Sequence, residues 1–257
     1  MVKAIVPIYK PLGYTSLQAL RFWRQSYPQW NNVKMTYTGR LDPLAEGVMV
    51  IAVGEALRQQ AQLQQTGKTY QAEILFGFNT DSYDILGLPQ LVRKPFDRNK
   101  IEEHFKSLAG NFKFEMPPFS SYKVKGHPLF WWALHNKLDQ VVRPVKEVNI
   151  NSIKLLGWRS FKPRQLADLI SRRLNLLKTN LRQAEILPRW QQLLLNNLVS
   201  SKFYSLQVEI NCSAGTYVRS IANIIGEQTG SGAVLLSLVR NRVGEYGIED
   251  CERIEGS

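Results

Sequence analysis

One turn-and-strand segment constrains this chain more than any other. Gly39-Arg40-Leu41-Asp42-Pro43-Leu44-Ala45-Glu46-Gly47 runs directly into the apolar stretch Val48-Met49-Val50-Ile51-Ala52-Val53. A short continuous run rich in Val and Ile reads as a buried strand. The Asp-Pro step starts a turn, and the proline ring fixes φ there. A turn of this kind presents one carboxylate, Asp42, at the edge of a sheet on rigid support. Asp is also a common helix N-cap, so the pattern taken alone fits an ordinary turn better than an active-site turn.

Charge narrows the partner. Lys and Arg exceed Asp and Glu to give a net charge of +12 over 257 residues. An excess of this size points to a polyanionic partner more readily than to a small neutral substrate. The chain is long enough to bury a sizeable core, and 44% hydrophobic residues is an ordinary globular composition. No apolar run approaches the roughly 18 residues of a membrane span. The start, Met1 to Pro7, has one Lys and too short an apolar core for a secretory signal. Cys212 and Cys251 are far apart, and His104, His127 and His135 lack metal-ligand spacing. The expectation is a cytoplasmic protein with no metal site and no membrane anchor.

Periodicity organises the rest. Val2 to Tyr9 reads as a strand, closed by the turn Lys10-Pro11-Leu12-Gly13. Thr15 or Ser16 then caps a helix carrying Leu17, Leu20 and Trp23. After the Asp42 segment come a helix over Glu55 to Gln65 and a strand over Thr69 to Phe78. A polar turn over residues 79–84, a loop through Pro95 and a helix over Asn99 to Leu108 follow. Residues 115–126 interleave Phe119, Tyr122, Lys123 and Lys125 with prolines and glycine, a pattern suited to stacking on bases and neutralising phosphates, or simply a hairpin with surface lysines. A helix starts at Phe130, and Val145 to Leu156 alternates as a strand.

Residues 158–202 change character. Leu166, Leu169, Ile170, Leu174, Leu177 and Leu181 keep helical spacing, Pro188 interrupts, and a second short helix is expected over Trp190 to Leu198. Nine basic residues against two acids give this segment a basic outer face, fit for RNA phosphates, an anionic membrane or solvent. Tyr204 to Cys212 reads as a strand, Ser220 to Gln228 as a helix, residues 230–233 as a glycine turn, and Leu235 to Val239 as a further apolar segment. Strands and helices mix without a β-α-β rhythm, so the class is α+β with a largely antiparallel sheet.

Five segments then resemble one family in one order. They are Lys10-Pro11-x-Gly13-x-Thr15-Ser16, Gly39-x-Leu41-Asp42-Pro43-x-Ala45-x-Gly47-Val48, Lys68-Thr69-Tyr70, Pro117-Pro118-x-Ser120-Ser121-x-Lys123-x-x-Gly126, and Cys212-Ser213-x-Gly215-Thr216-Tyr217-Val218-Arg219. Together with Gly230-x-Gly232-Ala233 and Leu238-x-Arg240, they resemble the TruB family of tRNA pseudouridine synthases over roughly residues 3–156 and 203–250. The resemblance implies the pseudouridine-synthase α+β core, a mixed and mainly antiparallel sheet with flanking helices and loops, as a single catalytic domain over residues 1–257. It implies isomerisation of one uridine in the tRNA T-arm, position 55 in tRNA numbering, without cofactor or metal; a monomer is the default expectation. It further implies a mobile loop near residues 112–138 that clamps the T-arm.

The same resemblance assigns roles. Asp42 is the reacting carboxylate, as nucleophile or as base at C2′, and it needs a neighbouring cation to stay ionised in a water-poor pocket. Arg219 matches the family arginine that pairs with it, and Tyr70 the tyrosine that stacks on the flipped uracil. Tyr217 and Leu238 match walls of the base pocket. Lys10 matches a residue that contacts the backbone or supports the catalytic loop.

Three departures stand out. Tyr37 occupies the place of the usual histidine, keeping an aromatic face for RNA. The chain ends soon after Tyr246, where many members continue into a PUA-type domain, so none is expected. Residues 158–202 replace what is usually a short strand connection, as a basic helical insertion expected to contact phosphates. Two other readings use the same residues: a T-arm-clamping folding factor, and a synthase acting on ribosomal or other hairpin RNA.

Overall fold

The computed structural model describes residues 2–92, 97–196 and 202–254. In chain order the strands are β1 Lys3–Lys10, β2 Met35–Thr38, β3 Ala45–Gly54, β4 Lys68–Phe76, β5 Phe78–Thr80, β6 Pro89–Leu91 and β7 Gly110–Glu115. They continue with β8 Lys123–Val124, β9 His127–Pro128, β10 Val145–Phe161, β11 Phe203–Cys212, β12 Ala233–Val243, β13 Tyr246–Gly247 and β14 Glu252–Arg253. The α-helices are α1 Ser16–Gln25, α2 Gln60–Gln65, α3 Arg98–Ser107, α4 Leu129–Leu134, α5 Pro163–Asn175, α6 Gln183–Leu195 and α7 Val218–Thr229.

Ten strands make one sheet, ordered β14-β1-β3-β12-β4-β11-β10-β7, with β13 on β12 and β2 on β3. Among the described strands of this sheet, β1–β14 and β12–β3 are the parallel pairs. The expected α+β, mainly antiparallel architecture is what the chain forms. From Val48 to Val53 β3 is apolar because it is buried on both faces: these six residues are all inaccessible. One face of the sheet packs α3 and α7, through Ile101, Phe105, Ile221 and Ile225 against Ile74, Val208 and Ile210. The other packs α1 on β1 and β3, and α5 with α6 over Leu75, Phe78, Phe203 and Val234.

Several boundaries differ from the sequence reading, each for a local reason. Gly157 looks like a strand terminator, yet β10 takes a register shift there and continues to Phe161. Residues 158–161 therefore belong to the sheet, and the helical insertion begins at Pro163. Leu177 and Leu181 lie in the connection between the two helices, beyond the end of α5. Pro188 does not interrupt before the second helix but sits inside α6. The loss of one helical hydrogen bond is offset by Ile186, Trp190 and Leu194, which follow one helix face and are essentially inaccessible. The expected end of that helix at Leu198 and the end of the loop at Pro95 lie outside the described residues. Residues 112–115 belong to β7, paired with β10, so the segment expected to clamp RNA starts no earlier than Met116. β12 already begins at Ala233 and reaches Val243, longer than the expected apolar segment.

Candidate active site

The Asp42 segment connects β2 to β3 and is held from three directions. Thr15 takes the α1 cap, exchanging bonds with Gln18 in a capping box. That leaves Ser16 free, and its hydroxyl accepts from the Leu41 N–H at 2.9 Å and lies 3.0 Å from the Leu41 carbonyl. Lys10 Nζ donates to the Ala45 carbonyl at 2.6 Å and to Pro11 at 2.9 Å. Arg240 donates from Nε to Val48 at 2.7 Å and from Nη2 to Gly39 at 3.0 Å. Gly47 has φ +109, and a β-carbon there would lie 2.3 Å from the Arg240 carbonyl, so only glycine lets β12 approach the segment.

Lys10 and Arg240 are both essentially inaccessible. Burial pushes the Lys10 ammonium down to about 7, against the attraction of Asp42 and Glu46. Lys10 thus reaches neither solvent nor the cleft. Its bond to the Ala45 carbonyl ties it to the loop that carries Asp42.

Arg219 is the second residue of α7, delivered by β11 and the 213–217 loop. Its Nε lies 2.7 Å from Asp42 Oδ2. The approach is an ion pair rather than an aligned hydrogen bond, since no acceptor lies along the Nε–H direction. Nη1 donates to the Ser82 carbonyl at 2.9 Å. The Arg219 side chain is 4% exposed and that of Asp42 35% exposed, so the cation is sealed while the carboxylate stays reachable.

A second carboxylate shares the guanidinium. Asp84 Oδ2 lies 3.7 Å from Arg219 Nε. The Ser82 hydroxyl donates to Asp84 Oδ1 at 2.6 Å, and the Leu86 N–H at 2.9 Å. Burial pushes the Asp84 carboxyl up to about 6, although Arg219 and these donors oppose the rise. Read from sequence, residues 79–84 are only a polar turn, and Asp84 is not singled out. A carboxylate directly before the apolar pair Ile85-Leu86 is the available signal, but nothing local ties it to an arginine so distant in sequence.

These groups open onto one cleft of about 1130 Å³, lined by Asp42, Tyr37, Tyr70, Tyr217, Arg219 and Leu238 among others. Of the seven residues to which the resemblance gives a place in the site, Lys10 alone does not line it, and Tyr122, Lys123 and Lys125 lie outside it too. Tyr70 faces the cleft from β4 and is 7% exposed. Its burial raises the phenol, with Arg240 opposing. Burial likewise raises Tyr217. Leu238 sits beside Ala45 in the parallel β12–β3 register. Two further walls are not evident from sequence in this detail: Phe119, Phe130 and Leu134 from the 116–138 segment, and Asn180, Leu181 and Arg182 from the α5–α6 connection. Arg182 is anchored on Asp81 at 2.9 Å and stacks over Phe119, 5.2 Å from the ring centre. Among the described residues, no group of three or more His, Cys, Asp or Glu is placed to hold a metal ion. No helix of these residues is long and apolar enough to cross a membrane.

Comparison with known proteins meets this geometry. The family described as TruB family pseudouridylate synthase (N terminal domain) matches residues 28–169, more than half of the chain. A tRNA pseudouridine synthase B from Fusobacterium nucleatum is 28% identical over 250 residues, covering 96% of this chain and 70% of that protein. The protein of that name from Bacillus anthracis is 28% identical over 257 residues, covering 99% of this chain and 70% of its own length. Among solved structures, a chain of a Cbf5-Nop10-Gar1 complex superimposes with a TM-score of 0.58 at 18% identity, covering 97% of this chain and 52% of that one. A chain of an H/ACA RNP bound to a substrate RNA containing 2′-deoxyuridine gives 0.56 at 17% identity, covering 97% and 50%. The chain thus spans about half the length of these solved chains, and at such identity they speak to the fold alone. With the family matched over more than half of the chain and on both sides of the Asp42 turn, this chain is an enzyme of the TruB family of pseudouridylate synthases.

Proposed function

We propose that this protein converts a uridine of tRNA to pseudouridine at position 55 in the T-arm, with Asp42 as the reacting carboxylate. The reaction breaks the N1–C1′ bond, turns the uracil, joins C5 to C1′, and moves a proton from C5 to N1. It is redox-neutral and balances within the nucleoside, without a co-reactant. Asp42 acts either by attack on the nucleoside or by removing the C2′ proton, and both routes need an ionised, reachable carboxylate. The observation that carries the reading is the Asp42–Arg219 pair, sealed on the arginine side and open on the carboxylate side.

The target base must leave its stack to enter the cleft, at a cost of a few kcal/mol. Tyr70 offers a ring to stack on, worth about 1–3 kcal/mol, while Tyr217 and Leu238 wall the pocket. Tyr37 gives an aromatic face at the rim. Lys10 and Arg240 act through the loop they hold, so that Asp42 does not have to be ordered during the reaction. The 116–138 segment, with Tyr122, Lys123 and Lys125 outward, clamps the T-arm.

Tritium release from tRNA transcripts carrying 5-³H-uridine tests this reading. Release is expected from a transcript with the T-arm uridine and not from one with cytidine there. Equal release from both, or none from either, contradicts it.

A further inference from the structure

We propose that Lys146 is a phosphate-binding residue of this cleft, gripping the backbone of the RNA strand that delivers the target nucleotide. The inference rests on the RNA-modifying role proposed above.

Lys146 lies on β10, opposite Phe114 of β7, and its side chain crosses Gly215. A β-carbon on residue 215 would sit 1.8 Å from Lys146 Nζ and 2.8 Å from its Cε, and Gly215 itself has φ +80. Glycine there serves two needs at once: a left-handed backbone and a lane through which a lysine passes. The lane is rigid. The Ser213 N–H donates to the Asn149 carbonyl at 2.8 Å, and the Asn149 N–H donates to the Ser213 hydroxyl at 2.9 Å. The 213–217 loop, which leads into Arg219, is thereby tied to the strand that carries Lys146.

Lys146 lines the same cleft as Asp42. Among the described residues its ammonium has no hydrogen-bond or ion-pair partner. Its neighbours are satisfied. Glu147, the next residue on β10, turns to the other face of the sheet and pairs with Lys113 at 3.5 Å. Lys68 and Arg240, on the same side of the cleft, are capped by backbone carbonyls. Lys68 and Lys146 are close enough to repel each other. A half-buried cation, held by packing, beside other cations and without a carboxylate, matches a phosphodiester: one negative charge with strong acceptors.

The test compares wild type with Lys146→Ala and Lys146→Arg, by equilibrium binding to tRNA across a salt series and by single-turnover tritium release at saturating tRNA. Removing the lysine's hold on one phosphate lowers the salt slope by about 0.7–0.9. Lys146→Ala should therefore bind roughly five- to eightfold more weakly at about 0.1 M salt and only about twofold more weakly at about 0.5 M. Lys146→Arg should restore both affinity and slope. An unchanged slope for a folded Lys146→Ala protein overturns the proposal. So does a slower saturated rate with unchanged binding. If wild type releases no tritium while Lys146→Ala still flattens the salt slope, the phosphate grip stands and the proposed reaction fails.

Discussion

The wall of the cleft that carries Asp42 and the wall contributed by the α5–α6 connection face the same space but are held by different forces. The Asp42 wall is fixed by directional bonds from buried cations, Lys10 and Arg240 to backbone carbonyls and Arg219 to the Ser82 carbonyl, together with the Arg219–Asp42 ion pair. The α5–α6 wall rests mainly on apolar packing of Leu166, Ile170, Leu174, Ile186, Trp190 and Leu194 on the sheet, with Arg164, Arg172 and Arg189 outward and Arg182 tied to Asp81. Directional bonds position atoms to a fraction of an ångström, which the reacting carboxylate needs. Apolar packing supplies bulk and shape without such precision. The two walls meet at Leu44, which belongs to the Asp42 turn but packs in the helical cluster, while Arg173 of α5 reaches its carbonyl at 3.4 Å.

Breaking the Asp42 wall should have the largest effect. Arg219→Met strands Asp84 as a buried carboxylate without its cation, a loss of about 3–5 kcal/mol of stability. Urea denaturation measures it, and a loss under about 1 kcal/mol would show that Arg219 is not what neutralises this wall.

The pH dependence sharpens the same point. Asp84 has its folded-state carboxyl raised to about 6 from 3.8. Between those values the folded protein keeps a proton that the unfolded chain has lost. Stability from this group is thus full below about pH 4 and falls as pH rises through about 6, by up to about 3 kcal/mol. In Asp84→Asn this downward contribution should vanish from the stability–pH curve. A curve of unchanged slope in that window contradicts the assignment.

The helical wall should give the smallest effects. Arg164, Arg172 and Arg189 are exposed, so replacing all three by Gln should leave stability within about 0.5 kcal/mol and leave turnover at saturating tRNA unchanged. If this face lies on RNA, the salt slope of binding drops by up to about 0.9 for each phosphate that one of these arginines neutralises. An unchanged slope would assign the face to solvent.

The two walls also differ in how much the sequence reveals. The Asp42 turn was legible because its constraints are local: proline after the aspartate, glycine where β12 approaches, and an apolar run too short for anything but a strand. Arg219, Tyr70 and Tyr217 were legible only through resemblance, since no periodicity links residues 42, 70 and 219. Lys10 was ambiguous because capture of its ammonium by the Ala45 carbonyl depends on tertiary approach. Asp84 and Lys146 were illegible for the same reason. The helical insertion was visible as leucine spacing, but its limits were not. A bulge lets β10 run past Gly157, and the burial of Trp190 and its helix-face neighbours keeps α6 continuous through Pro188.

The most direct test of the central claim is single-turnover tritium release by Asp42→Asn at saturating tRNA, with binding measured in parallel. The substitution keeps the shape and removes the charge. Binding within about twofold of wild type, with release slowed by at least about 10²–10⁴-fold, is the predicted result. Release by the Asn variant at the wild-type rate would contradict a reaction carried by the Asp42 carboxylate.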